Sequence, residues 1–345
     1  RLYLPGGHPP NVSILPPPRH PLPRNGPGAC VVLRVLEVVL VVAAHLRVEY
    51  PVPSPGYPVI TSQHPADHSK LQPHSVKPSS PFPAPSSPPA EHRGLGTGYY
   101  RPMHIGAHIS SAGGIHKVFE RAEAIGAEAI QIFPSAPQQW KAPVISDDQA
   151  QLFRDGLAES AKPAFFHGVY LVNLASPDEA LVERSVTSLT QYLDWAGKLG
   201  VRGVIFHAGS HLGRGWDGEC AAQVSGLMRR ALDAAPNDAL LVIENNAGQG
   251  NCIGATFGEI GEMIRGLKND PRVAVCLDTC HALAMGYDIV TAKGCDAAMK
   301  EFDKEIGLER LVAVHANDSK MPLGGTRDRH ENIGDGHIGL DGFAT

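Results

Sequence analysis

A hydrophobic run that ends in a metal-type residue recurs along the last ~180 residues of this chain, and that repetition constrains the fold more than any other feature. The runs are AFFH ending at His167, GVIFH at His207, LLVIE at Glu244, VAVCLD at Asp278 and LVAVH at His315, spaced by about 35 to 40 residues. Each is nearly continuous in Val, Ile, Leu, Ala and Phe, as a strand buried on both faces requires. The segments between them carry helical periodicity, so the pattern predicts a parallel sheet covered by helices. An α/β TIM (β/α)8 barrel is the architecture that gathers strand-end residues at one C-terminal face.

From Met103 onward the strands are expected at 103–109, 129–133, 164–169, 203–208, 239–244, 273–278 and 311–316. Helices are expected at 114–126, 147–160, 178–199, 217–234, 256–268 and 295–307. That makes seven strands. After His330 the chain runs through GDGHIGLDGFAT and stops, so the eighth strand is expected to be lacking through C-terminal truncation. Two unpaired sheet edges should then remain.

The 345 residues are 43% apolar, enough for a sizeable core, but composition is uneven. Residues 1–100 hold 21 of the 30 prolines and only four acidic residues, whereas 102–345 has 21 Lys+Arg against 31 Asp+Glu. This acidic balance excludes a broad basic surface that binds nucleic acid through many phosphate contacts. Bound divalent metals would cancel several charges where an anionic backbone approaches. Segments such as LPPPRHPLPRNGPG and KPSSPFPAPSSPPAEHRG cannot bury enough apolar area to offset their ordering entropy. All six methionines lie at or after Met103, and the chain opens on Arg1. Residues 1–102 therefore read as a Pro-rich, disordered or non-native extension, and 103–345 as an incomplete barrel domain. Within the extension, CVVLRVLEVVLVVAAHL (30–46) is interrupted by Arg34 and Glu37 and is too short and charged for a membrane span. It is expected to be a short strand or helix without a partner. The six cysteines show neither a CxxC pair nor disulfide-scaffold density, which fits a reducing, cytoplasmic setting. No membrane association is expected, and nothing indicates an oligomer, so a monomer is expected.

A lone histidine at a strand end is ordinarily a hydrogen-bonded core or loop residue, but five strand ends in series carrying His, Glu or Asp are not explained that way. Asp278 and His281, three apart at a turn in LDTCH, can face one side of the barrel mouth without sharing one metal. Asp328 and His330, two apart in TRDRH, project to the same side if the segment is extended, and so can chelate. Zinc accepts imidazole nitrogen and carboxylate oxygen. His104, His108, His116 and His337 read as structural or supporting residues, His211 as supporting, and Cys276 and Cys280 as core. The Gly-rich GQGNCIG (248–254) lacks the GK[ST] ending of a phosphate loop, and reads as shaping the turn after Glu244.

The stretches HIGAHISSAGG, QQWKAP, HGVYLVNLASP, FHAGSHLG, VIENNAGQG, CLDTCHALAMGYD, HANDSK and DRHENIGDGHIG resemble the endonuclease IV family of apurinic/apyrimidinic endonucleases. These are DNA-repair enzymes on a TIM barrel with a three-zinc site. The resemblance implies that His167, His207 and Glu244 hold one zinc, that Glu244, Asp278 and His315 hold a second, and that His281, Asp328 and His330 hold the third. It makes Glu244, shared by two zincs, the catalytic position. It further implies hydrolysis of the phosphodiester 5′ to an abasic site in duplex DNA to leave a 3′-OH, with Tyr170 and Leu171 wedging into the duplex and Gln139 filling the gap. Gln138 stands where many members carry an arginine that helps hold DNA, and Ala208 where the family usually has proline. The family also uses a glutamate after the eighth strand, and this sequence ends before it. The chain as given is therefore expected to show little or no activity. A metal-dependent sugar isomerase or epimerase, which shares the barrel and a His/Glu/Asp site, is the alternative, and a chain unable to fold or hold metal is a third.

Overall fold

The computed structural model describes residues 39–42, 103–142 and 144–345. The apolar runs become parallel strands of one closed ring. In order these are β1 (Val39–Val42), β2 (His104–His108), β3 (Ala129–Ile132), β4 (Ala164–His167), β5 (Gly203–Phe206), β6 (Leu240–Glu244), β7 (Val273–Asp278) and β8 (Leu311–Ala316). Around the ring lie α1 (Val118–Ala124), α2 (Asp147–Ser160), α3 (Glu179–Leu199), α4 (Gly218–Ala234), α5 (Phe257–Gly266), α6 (Thr279–Met285) and α7 (Ala292–Glu305). A two-residue antiparallel pair, β9 (Asp318–Ser319) and β10 (His330–Glu331), and a short α8 (Gly339–Phe343) follow.

The helices begin where side chains can accept the amides that a first turn leaves free. Ser146, Asp178, Asp217, Thr256 and Thr291 each cap one this way, which stabilises a helix by about 1 kcal/mol. Gly200 ends α3 in the left-handed conformation. The helix α6 was not expected. It starts directly at Asp278, whose carboxylate accepts the His281 amide at 2.9 Å, and seven residues are too few to show a helical period in sequence. For the same reason α7 begins at Ala292, three residues before its expected start, because Thr291 caps it.

Two apolar layers hold the ring. Ala129, Phe165, Ile205, Val242, Ala274, Cys276, Val312 and Ala313 fill its interior. Their neighbours Phe166, Val204, Phe206, Leu241, Ile243 and Val275 face outward into the layer shared with the helices. Alternate residues of a strand share a face. Two residues beyond Ala129, Phe165, Ile205, Val242, Cys276 and Ala313, the inner face therefore presents Gln131, His167, His207, Glu244, Asp278 and His315. At the other end of the interior the strands approach closely. A Cβ on Gly203 would stand 2.6 Å from the Leu240 carbonyl oxygen, so the residue there must be glycine.

Seven strands come from residue 103 onward, as expected, and among the described residues no strand of the ring follows β8. The expected open edges do not occur. The eighth place is filled by β1, which pairs in parallel with β2 (Val39 opposite His104, Val42 opposite Ala107) and with β8 (Val39 opposite Ala313, Val42 opposite Ala316). The expectation of an unpartnered apolar segment is corrected by the same pairing. Two facing edges of unpaired N–H and C=O groups leave room for one more strand, and a Val-rich tetrapeptide suits a sheet. The rest of the extension, for which disorder is expected, lies outside the described residues.

If β1 closes the ring, Val41→Pro, which removes a ladder donor, should cost about 1–2 kcal/mol and lower the thermal unfolding midpoint measured by circular dichroism. An unchanged midpoint would mean that the barrel stands without this strand.

Candidate metal centre

The inward positions converge on two buried carboxylates. Glu244, at the end of β6, places Oε2 3.1 Å from His167 Nε2 and 3.4 Å from His207 Nε2, and Oε1 2.8 Å from His315 Nδ1. Asp278, at the end of β7, accepts from the Asn317 side-chain amide at 2.6 Å and lies 3.9 Å from His315 Nδ1 and 3.7 Å from His330 Nε2. At the rim, Asp328 contacts His281 Nε2 at 3.3 Å and His330 Nε2 at 3.1 Å. Four donor groups result among the described residues: His167, His207 and Glu244; Glu244, Asp278 and, by distance, His281; His281, Asp328 and His330; and a fourth that includes Cys280. All eight residues singled out from the sequence thus lie at one end of the barrel.

Which histidine completes the middle group follows from hydrogen bonding. His281 lies within reach of Glu244 and Asp278 through Nδ1, at 3.6 and 3.8 Å. That nitrogen, however, donates to the Asn245 carbonyl at 2.8 Å, so the free nitrogen of His281 is Nε2, which faces Asp328 and His330. His315 turns the other way. Its Nε2 donates to the Gln131 side-chain oxygen at 2.8 Å, leaving Nδ1 toward Glu244 and Asp278. His167 follows the same rule, with Nδ1 on the Gly168 carbonyl at 2.8 Å and Nε2 on Glu244. A carbonyl that takes the proton of one ring nitrogen leaves a lone pair on the other, which is how metal-ligating histidines are ordinarily held. His207 has a buried Nδ1 with no partner among the described residues. Imidazole nitrogens and carboxylates in sets of three suit zinc. The residues fit such an ion.

The charges balance internally. Burial disfavours the imidazolium of His281, but Asp278, Asp328 and Glu244 outweigh it and hold its pKa up at about 10. His315 and His330 are raised against burial by Glu244 and by Asp278 with Asp328, respectively. Glu244 and Asp328 are held low in turn by their histidines, again against burial. His207 is lowered to about 4, chiefly by burial. Cys280 approaches Asp278 and His330 closely enough to form a fourth group, yet burial and the nearby Asp278 push its thiol up to about 12.

The rim donors are hung from one carboxylate. Asp318 is fully buried and accepts five backbone amides, those of Ser319, Gly334, Gly336, Ile338 and Gly339, at 2.8 to 3.1 Å. A Cβ on Gly336 would collide with it. The adjoining β9–β10 pair sets His330 opposite Ser319, and the Gln249 side chain accepts the Asp328 amide at 2.9 Å. The Gly-rich loop therefore supports Asp328. Its Cys252 and Ile253 amides are spent on the Gln249 and Gly209 carbonyls. Sequence reasoning missed Asp318, Asn245 and Gln131. Only Gln131 left a signal, two residues beyond the inward Ala129.

Other positions fall where they serve packing. His211 Nδ1 accepts the Gly213 and Gly215 amides, and the Gln131 amide bonds His108 at 3.1 Å. His104, His116 and His337 enter none of the donor groups among the described residues. Beside the centre, the Tyr170 amide donates to the Pro137 carbonyl at 2.9 Å, which joins its loop to the one bearing the exposed Gln138 and Gln139. The exposed Tyr170 ring stands edge-on to Phe133 and His167. Leu171 packs partly on the core.

A family described as a xylose isomerase-like TIM barrel matches residues 119–345. The probable endonuclease 4 of Aquifex aeolicus is 41% identical over 242 residues, covering 69% of this chain and 84% of that protein. That of Methanoculleus marisnigri is 40% identical over 240 residues, covering 69% and 85%. Among solved structures, endonuclease IV from Thermus thermophilus is 36% identical with a TM-score of 0.62, covering 69% of this chain and 85% of that one. A D-tagatose 3-epimerase-like protein, at 18% identity and a TM-score of 0.50 over 67% of this chain and 81% of its own, shares the fold alone.

Asp318→Asn should lower stability at neutral pH by about 2 kcal/mol or more, since buried amides lose their acceptor. The Asp318 carboxyl is held below its ordinary value because the amides outweigh burial. Its contribution is therefore full above the unfolded value of about 3.9 and lost as pH falls through the lower folded value. Denaturant midpoints against pH should show a steep acid limb in the parent chain and a shallower one in the variant. Parallel limbs would refute this.

Proposed function

Because the chain belongs to the endonuclease IV family, we propose that it is a zinc-dependent endonuclease of DNA repair that hydrolyses the phosphodiester 5′ to an abasic site in duplex DNA, leaving a 3′-OH. One observation carries the reading beyond family membership. Histidines tethered through one nitrogen surround two buried carboxylates, with a further Asp–His pair at the rim. His167, His207 and Glu244 would hold one zinc, Glu244, Asp278 and His315 a second, and His281, Asp328 and His330 a third. Bound there, zinc supplies a water acidified toward neutral pH and positive charge for the phosphate.

The rest of the work falls to the chain itself. Glu244 joins the first two groups and fixes their spacing, so it is the catalytic position. Asp318 and Gln249 hold the rim ligands against the inner ones. Tyr170 and Leu171, at the edge of the centre, wedge into the duplex where a missing base has reduced the stacking to be broken, and Gln139 fills the gap. The acidic balance outside the centre means that DNA affinity depends on the metals and these rim residues, and Gln138 contributes less than an arginine would. The five described cysteines are free, which supports a reducing, cytoplasmic setting. No described helix is long and apolar enough to cross a membrane. We take the working unit to be a monomer.

A sugar isomerase or epimerase is the second reading, favoured by the family's description alone. The rim group of His281, Asp328 and His330 speaks for the nuclease, because a one- or two-metal sugar site leaves it without a role.

The sequence alone predicts little or no activity, whereas the ring closed by β1 and the assembled donor groups support the opposite expectation. With zinc, the chain should bind an abasic duplex in preference to an intact one and cut it on the 5′ side, and a chelator should abolish cutting. Binding of neither duplex together with turnover of a free ketose would establish the isomerase reading. Glu244→Gln should reduce cutting by more than the roughly 10–100-fold typical of residues behind the ligands. Leu171→Ala should weaken abasic-duplex binding about tenfold at unchanged zinc content, and unchanged affinity would remove the wedge from the account.

A further inference from the structure

We propose that Gln131 is a positioning residue that sets which nitrogen of His315 faces Glu244 and Asp278, an inference that rests on the metal reading above. Gln131 lies on β3, two residues beyond the inward Ala129, and is buried. Its amide oxygen takes the His315 Nε2 proton at 2.8 Å, and its amide nitrogen donates to His108 Nδ1 at 3.1 Å. Both ends of the side chain are thus committed, one on each of two histidines whose rings meet no backbone carbonyl among the described residues.

This arrangement differs from that of the other tethered histidines. His167 and His281 are turned by the backbone carbonyls of Gly168 and Asn245, acceptors that a side-chain substitution does not delete. His315 alone of the three depends on a replaceable side chain. With Gln131 reversed, its amine would face Nε2 and the His315 proton would move to Nδ1, which lies 2.8 Å from Glu244 and 3.9 Å from Asp278. The lone pair would then point away from the carboxylates that a cation would share. In the observed orientation the amide nitrogen has a partner of its own in His108 Nδ1. The His108–Gln131–His315 chain is therefore a device for aiming one ligand.

Zinc titration in competition with a chromogenic chelator tests this, with the parent chain, Gln131→Leu and Gln131→Glu compared for zinc content and affinity and their folding checked by circular dichroism. Gln131→Leu fills the space without accepting a hydrogen bond and should weaken one zinc equivalent about 10–100-fold while the others stay within about twofold. Gln131→Glu keeps an acceptor oxygen at the same reach and should hold every equivalent at least as tightly as the parent. A packing role predicts the reverse, with Leu tolerated and Glu not, and that result would overturn the proposal. Should Gln131→Leu not fold, Gln131→Glu decides alone: retention of every equivalent supports the proposal, and loss of one overturns it. A parent chain that binds no zinc would remove the metal reading and this proposal together, whereas unchanged affinity in Gln131→Leu would remove this proposal only.

Discussion

Two carboxylates buried side by side at the mouth of a barrel are the constraint on which the rest of this structure depends. Glu244 and Asp278 are almost without solvent, and a buried charge costs several kcal/mol unless it is paired. Neither carboxylate has a lysine or arginine partner among the described residues, and each is met by imidazoles. That choice matters because an imidazole can give up its proton to make room for a cation, whereas a guanidinium cannot. A cluster built to be neutralised by protons can equally be neutralised by metal.

The barrel makes this possible through strand periodicity. Apolar residues at inner positions, Phe165 the largest of them, close the interior, and the next inner position on five successive strands becomes a donor. Their imidazoles would still be free to point either nitrogen at the carboxylates. Backbone carbonyls at Gly168 and Asn245 and the side chain of Gln131 remove that freedom. The rim pair needs a different solution, because Asp328 and His330 sit on a long excursion after β8. Asp318 supplies it by gathering five amides of the returning segment around one buried charge.

Much of this was legible in the sequence and some was not, for reasons that differ by residue. The strand-end donors His167, His207, Glu244, Asp278 and His315 could be read because the signal is local: an apolar run, a period of two and a ligand. Asp328 and His330 could be read as a pair from their spacing, and their side chains meet at 3.1 Å although only His330 lies in β10. The role of Asp318 could not, since its partners lie up to 21 residues away and are backbone amides. Asn245 escaped notice because it acts on His281 through its carbonyl, which every residue has, and because its side-chain amide bonds the backbone of Asp278, 33 residues away. The closing of the ring by Val39–Val42 joins segments more than 60 residues apart on one side and more than 270 on the other, a pairing no local pattern encodes. The resemblance implies that His281 and His315 serve different metals, and the hydrogen bonds leave a different nitrogen of each ring facing the carboxylates.

The most direct test of the central claim is an anomalous-scattering map at the zinc edge from crystals grown with zinc. Ions at the Glu244 and rim groups, bound by Nε2 of His167 and His281 and by Nδ1 of His315, would match the nitrogens that the carbonyl contacts leave free. Zinc bound through the opposite nitrogen of these rings, or lying away from Glu244, would contradict the account.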